Sequence, residues 1–350
     1  MSADELSLEA AVVRRMPPGL RVLAVVAGVL GALVVSLFSW SLVSPKPAVM
    51  LIRTVFDRNW RRISREMARH VPEGISEVLH EQYLPGNDHA YLDVFYPGRA
   101  EASRGLPTIV WLHGGAWVSG SKEDVSNYLK ILASYGFTAV GVGYSLAQVQ
   151  KYPEPVRQAA AALTYLQQNA ERLRVDSGRL VLAGDSAGAQ IAAQLALLIT
   201  DADYAAKLGI PAPIHLTELR AVLLHCGGFD LSIKSAKGGM GSGFLRTVMW
   251  SYTGSRDYLT LPQVDLASIT SRVGADFPPA FVTAGNADPL LPHSLALAEA
   301  LNDQGADVET LFFPAEYEPA LGHEYQFKLD TRAAQLVLSR SVDFLRRKTL

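Results

Sequence analysis

Three side chains in this 350-residue sequence have the types and chain order needed for nucleophilic hydrolysis. They are a serine in Gly184-Asp185-Ser186-Ala187-Gly188, an aspartate in Gly285-Asn286-Ala287-Asp288-Pro289 and a histidine in Leu321-Gly322-His323-Glu324. A serine hydroxyl is a poor nucleophile at neutral pH. It needs a base to take its proton, a group to orient that base, and donors for the charge that develops on the attacked carbonyl oxygen. Ser186 is the candidate nucleophile, His323 the base and Asp288 the orienting acid. His293 is a rival base, but the order serine, acid, histidine, with the histidine beyond the final strand, favours His323. Alone, Asp288 also reads as a turn aspartate before proline, and Asp185, inside the turn, reads as a packing or capping residue.

These groups must be positioned by regular elements. Leu180-Val181-Leu182-Ala183 is a short apolar run with strand character, and Ile191 to Leu198 has helix character. A strand passing through G-x-S-x-G into a helix is a nucleophile elbow, a strained turn that lifts the hydroxyl above the sheet. The pentapeptide alone is weakly specific; its context makes the reading strong. The oxyanion donors are expected from the N–H of Ala187 and from the loop His113-Gly114-Gly115-Ala116, which follows a strand ending in Trp111-Leu112. Ala116 can donate if its φ is negative. His113 is expected to stiffen the loop through a backbone hydrogen bond.

Strand-like runs alternate with helical patterns from residue 76 onward. Val78–Tyr83 and Tyr91–Phe95 read as an antiparallel pair, followed by runs at 108–112, 138–144, 180–183, 219–224, 280–284 and 308–313. This predicts an α/β fold with a mostly parallel, eight-stranded-type sheet covered by helices on both faces, occupying 76–350. An insertion at about 227–278 interrupts the rhythm with a glycine-rich stretch at 238–243, and is expected to be a mobile wall or lid. Trp117, Phe244, Trp250 and Tyr252 are candidates for an apolar substrate pocket, with core packing as the alternative for each.

Residues 1–21 form a mixed-charge tail, and 22–43 contain no ionisable side chain, enough to cross a bilayer as one helix. A cleaved signal peptide is the alternative, although the run is long for one and lacks a clear cleavage site. Arginines and lysines tie across this span, leaving the side of the catalytic domain open. In 44–75, Ile52, Phe56, Trp60, Ile63 and Met67 draw one apolar stripe on a helix, with five arginines on the remaining surface. Such a helix could lie on a membrane, cap the site or dock on the domain. The net charge of −2 argues against a nucleic-acid partner, and the single cysteine, Cys226, excludes an intramolecular disulfide or a cysteine-rich metal site. The oligomeric state is not readable.

From about Tyr91 to Phe344 the sequence resembles the α/β-hydrolases of the hormone-sensitive-lipase-like esterase group, close also to bacterial feruloyl-esterase-like domains. The residues that carry the resemblance are Leu92-Asp93-Val94-Phe95-Tyr96-Pro97, the HGGAW loop with Gly120-Ser121-Lys122, Tyr144-Ser145-Leu146-Ala147 with Tyr152-Pro153, the GDSAG elbow, Asp288-Pro289-Leu290 and Gly322-His323. The resemblance implies hydrolysis of a small or lipid-like carboxylic ester through an acyl-enzyme on Ser186, without metal or cofactor. Departures occur at Gln148-Val149, where the family has Pro-Glu, at Gln158, where an aspartate is common, and in the long loop Pro314–Ala320 before His323. A peptidase or amidase of the same fold, and a membrane-tethered binding protein on a hydrolase scaffold, are the competing readings.

Overall fold

A computed structural model describes residues 17, 19, 22–29, 39–40, 43–98, 105–231 and 242–349. The chain forms two compact units, Met1–Met50 and Leu51–Leu350. Of the expected span 22–43, residues 22–29, 39–40 and 43 are described, all helical; the rest lies outside the described residues. Among the described residues no helix is long and apolar enough to cross a membrane.

Among the described residues, the second unit is built on eight strands: β1 (Ile75–Gln82), β2 (Tyr91–Pro97), β3 (Leu106–Leu112), β4 (Thr138–Val142), β5 (Val175–Asp185), β6 (Leu219–His225), β7 (Ala280–Ala284) and β8 (Val308–Phe312). Their spatial order is β1-β2-β4-β3-β5-β6-β7-β8. β1 and β2 pair antiparallel, β2 meets β4 antiparallel, and every pair from β4 through β3 to β8 is parallel. The helices are α1 (Lys46–Met67), α2 (Ser126–Ser134), α3 (Glu154–Gln168), α4 (Ala187–Thr200), α5 (Ala202–Leu208), α6 (Ser242–Thr253), α7 (Pro262–Ala267), α8 (Leu291–Asp303) and α9 (Arg332–Thr349).

The central strands read as unbroken apolar runs because both of their faces are covered. On one face Trp111, Val181, Leu223 and Phe281 pack with Tyr128 and Leu132 of α2 and with Val337, Phe344 and Leu345 of α9. Trp60, Ile63 and Met67 of α1 enter the same core. The part of 44–75 beyond residue 50 therefore belongs to the compact unit, which begins ahead of the boundary drawn at 76. α4 is buried from Ala187 to Ile199 because it packs on the sheet with no solvent face, so it carries no charged side chain, and its buried Gln190 and Gln194 are hydrogen-bonded to Ala267 and to Tyr152 and Tyr204.

Register aligns the strand ends that matter. Leu112 of β3 sits beside Gly184 of β5, Gly184 beside Leu224 of β6, and Leu224 beside Val282 of β7. The loops leaving these strands thus open at one edge, where open parallel sheets place ligands. The insertion contributes α6 and α7, with Val248, Met249 and Tyr252 buried; residues 232–241, which include most of the glycine-rich stretch, lie outside the described residues.

Candidate active site

The elbow is formed by β5 running directly into α4. Ser186 has φ +52° and ψ −118°, a backbone region costly for any residue with a Cβ, and its N–H donates to the His225 carbonyl at 2.8 Å. Gly188 is required two residues on: a Cβ there would collide with the Leu112 and His113 carbonyls, since α4 passes against the end of β3.

His323 Nε2 lies 2.9 Å from Ser186 Oγ, and its Nδ1 lies 2.9 Å from Asp288 Oδ2 and 3.0 Å from Oδ1. Asp288 is itself held by Leu290 N–H, which donates to Oδ1 at 2.8 Å. The structure therefore brings together three residues from loops after β5, β7 and β8. His293 is not part of this chain: its Nδ1 accepts from Asp230 N–H at 3.4 Å, and burial lowers its pKa. Burial works against a charged His323, but the Asp288 carboxylate, facing and hydrogen-bonding its Nδ1, more than offsets that, so the imidazole is held above its ordinary range.

The loop after β3 differs from expectation. Gly115, Ala116 and Trp117 have φ of +112°, +53° and +57°, so the negative φ expected for Ala116 is not found. The Gly115 carbonyl accepts from both Val118 N–H at 3.1 Å and Ser119 N–H at 2.9 Å, closing a turn whose two central residues, Ala116 and Trp117, are both left-handed, as in a type I′ turn. Gly114 also departs, because its N–H donates to Asp185 Oδ2 at 2.9 Å and is not free to receive a substrate oxygen. No hydrogen bond among the described residues engages the N–H of Gly115, Ala116 or Ala187. His113 stiffens the loop as expected: its Nδ1 is 2.7 Å from the Gly114 carbonyl, and its ring stacks on Tyr144 at 4.3 Å. Burial lowers its pKa to about 4, so it is neutral at pH 7.

Beside Ser186 lies an apolar slot with a cavity volume of about 50 Å³, lined by residues that include Ala116, Trp117, Leu231, Phe244, Val248 and His293. Trp117 and Phe244 are among the expected pocket residues; Trp250 and Tyr252 do not line it. Tyr252 is buried behind Trp117, ring stacked on ring at 4.7 Å, and Trp250 points off the other side of α6 under the Arg256 guanidinium at 4.2 Å. Phe56 of α1 packs against one of these lining residues, its ring 5.9 Å from that of Phe244.

Two of the three departures flagged in the sequence, Gln158 and Gln148, are taken up in hydrogen bonds. Gln158, fully buried, accepts from Ser145 N–H at 2.6 Å and donates to Ser145 Oγ at 2.9 Å, and Gln148 donates to the Val118 carbonyl at 2.7 Å. Sequence reasoning missed Asn286. Its amide donates to the Pro314, Ala315 and Tyr317 carbonyls while its oxygen accepts from Leu321 N–H, tying the long loop that carries His323 to the strand that carries Asp288. Among the described residues, Cys226, Asp288 and His323 are the trio whose possible metal-ligating atoms lie within 4.8 Å of one another, and two of them already bond each other.

The sequence pattern of the family described as alpha/beta hydrolase fold matches residues 109–319. The acetyl esterase of Salmonella choleraesuis (strain SC-B67) is 27% identical over 237 residues, covering 65% of this chain and 69% of that protein. Among solved structures, esterase B of Lactobacillus rhamnosis superposes with a TM-score of 0.73 at 23% identity, covering 86% of this chain and 97% of that one. The hyperthermophilic esterase of the archaeon Pyrobaculum calidifontis gives a TM-score of 0.69 at 21% identity, covering 85% and 91%. The chain belongs to the alpha/beta hydrolase fold family, in the hormone-sensitive-lipase-like esterase group that its motifs resemble.

Proposed function

We propose that this protein is a membrane-anchored carboxylesterase that cleaves small esters through an acyl-enzyme on Ser186. The observation that carries the reading is the unbroken path Ser186 Oγ, His323 Nε2, His323 Nδ1, Asp288, with each step at hydrogen-bond distance. His323 removes the hydroxyl proton as Oγ attacks the ester carbonyl. Asp288 keeps Nδ1 protonated and stabilises the imidazolium that forms. The N–H groups of Ala187, Gly115 and Ala116 receive the oxyanion; Ala116 keeps this role in spite of its positive φ because no bond among the described residues takes its N–H. His323 then returns the proton to the departing alcohol, and water repeats the cycle to release the acid.

A slot of about 50 Å³ has room for a short acyl chain and little more. The name of the Salmonella relative, acetyl esterase, points the same way. The apolar run 22–43 supports the anchor, with the side of the membrane left to protease accessibility in intact cells.

The test is hydrolysis of p-nitrophenyl acetate, butyrate, octanoate and decanoate by the full chain in detergent, with labelling by a fluorophosphonate. Activity greatest on the short esters, and lost together with labelling in Ser186→Ala, is the expected result. Hydrolysis at the parent rate by Ser186→Ala overturns the assignment. Comparable rates on matched anilides would favour an amidase instead.

A further inference from the structure

Next to His323, but outside the proposed catalytic path, lie two buried carboxyl groups, Asp185 and Glu324. Asp185 closes β5 and is fully buried. Each of its oxygens already accepts an N–H: Oδ1 from Trp111 Nε1 at 2.8 Å and Oδ2 from Gly114 at 2.9 Å. Glu324 follows the candidate base, is 9% exposed, and has a left-handed backbone with φ +58°. That conformation turns its side chain inward to hydrogen-bond Asp185. The imidazole nitrogen that faces Ser186, His323 Nε2, is 3.8 Å from Glu324 Oε1, too far for a hydrogen bond.

Two carboxylates cannot hydrogen-bond each other; one must carry a proton. With an N–H already on each Asp185 oxygen, no further backbone or indole donor separates the two carboxyls, and a single proton is shared between them. Burial pushes both groups above their ordinary range, in keeping with one proton held at pH 7. The titratable groups that face the pair are His323, Asp288, Asp124, Cys226, Tyr128 and Tyr144. Asp124, its own pKa raised to about 6 by burial, and the neutral tyrosines add no cation that would replace the proton.

We propose that Glu324 is a positioning residue that shares one proton with Asp185, seating the oxyanion loop and keeping a second negative charge away from the His323 nitrogen that faces Ser186. The seating is steric as well as polar. A Cβ on Gly114 would collide with Asp185 Oδ2 and come within 3.0 Å of Glu324 Oε1, so the loop rests directly on the pair. An ionised Glu324 would compete with Ser186 for the proton on Nε2 and hold the imidazolium too tightly to release it to the leaving alcohol. It would also repel Asp185 and loosen Gly114.

The role rests on the proposed esterase reaction, but the shared proton is measured independently of turnover. A group that binds its proton more tightly folded than unfolded makes the fold lose stability as pH rises above its unfolded value, here 4.5 for Glu324. Glutamine keeps the shape and the donor and never titrates. In thermal unfolding of the full chain, Glu324→Gln should gain on the wild type by about 2 to 4 °C per pH unit above that value until the pair has titrated. Asp185→Asn should instead lose stability at every pH, because its amide places a donor against Trp111 Nε1–H or Gly114 N–H. Above the His323 acid limb, Glu324→Gln should keep kcat close to the wild-type value, whereas Glu324→Ala should lose about 10- to 100-fold in kcat with little change in KM, less than the loss of an oxyanion donor.

Infrared difference spectra of the wild type through a pH titration give a second readout that needs no variant to fold: the carbonyl band of a protonated carboxyl should persist at pH 7, and should be absent from Glu324→Gln if that variant folds. Parallel pH dependence of stability in wild type and Glu324→Gln, or no protonated carboxyl band at pH 7, overturns the proposal. Failure of Ser186→Ala to abolish hydrolysis would remove the esterase reading and leave these stability and infrared results unaffected.

Discussion

At the carboxyl ends of β5, β7 and β8, Ser186, Asp288 and His323 have their polar atoms engaged, each bonded to the next and the aspartate bonded again to backbone. The slot beside them presents almost only carbon, from Trp117, Leu231, Phe244, Leu245, Val248 and Leu290. The two regions also differ in origin. The polar path comes from loops that leave aligned strands of the sheet, so the register of the core sets its geometry. Most of the apolar wall comes from the insertion and α6, which rest on the sheet without being part of it. Chemistry is thus held by the elements hardest to move, and selectivity by those most easily exchanged.

The sharpest way to break this division is at the polar path. Ser186→Ala should reduce kcat by on the order of 10⁴-fold or more while leaving the unfolding midpoint close to the parent, measured by ester hydrolysis and thermal melting. Asp288→Asn should cost about 10⁴-fold in kcat, because an amide facing Nδ1 favours the wrong tautomer of His323. The acid limb of kcat/KM tests the same pair. Since His323 is held above the ordinary imidazole range, hydrolysis should fall as pH drops through that raised value, and at a pH higher than an unperturbed histidine would give.

Changes in the slot should be smaller and of another kind. Phe244→Ala should widen it and move the ratio of kcat/KM for hexanoate over acetate about tenfold toward hexanoate, with kcat on acetate little changed. Trp250→Ala should leave that ratio within about twofold of the parent, because the indole lies under Arg256 and outside the slot. A tenfold change in acyl preference from Trp250→Ala would show that the wall extends further along α6 than its described residues indicate.

Much of the core was legible in the sequence, for a local reason. Apolar runs such as Leu180 to Ala183 and Ala280 to Ala284 report burial on both faces directly, and the elbow announces itself because a sharp strand-to-helix turn needs small residues at fixed spacing. The chain order of Ser186, Asp288 and His323 was readable for the same reason: each follows a recognisable strand. The apolar stripe on 44–75 was equally visible, but not what it would meet. Only the folded chain puts Trp60, Ile63 and Met67 into the domain core and Phe56 against Phe244.

What tertiary structure alone decided are the relations between residues distant in sequence. That Gly114 N–H is taken by Asp185, that Ala116 is left-handed, that Tyr252 backs Trp117 without reaching the slot, and that Glu324 turns back onto Asp185 all depend on distances across the fold. Residue types and spacing determine which strands form and which side chains can do chemistry, because those follow from local sterics and burial. They leave undetermined which donor meets which acceptor, because that is set where separate loops converge on one edge of the sheet.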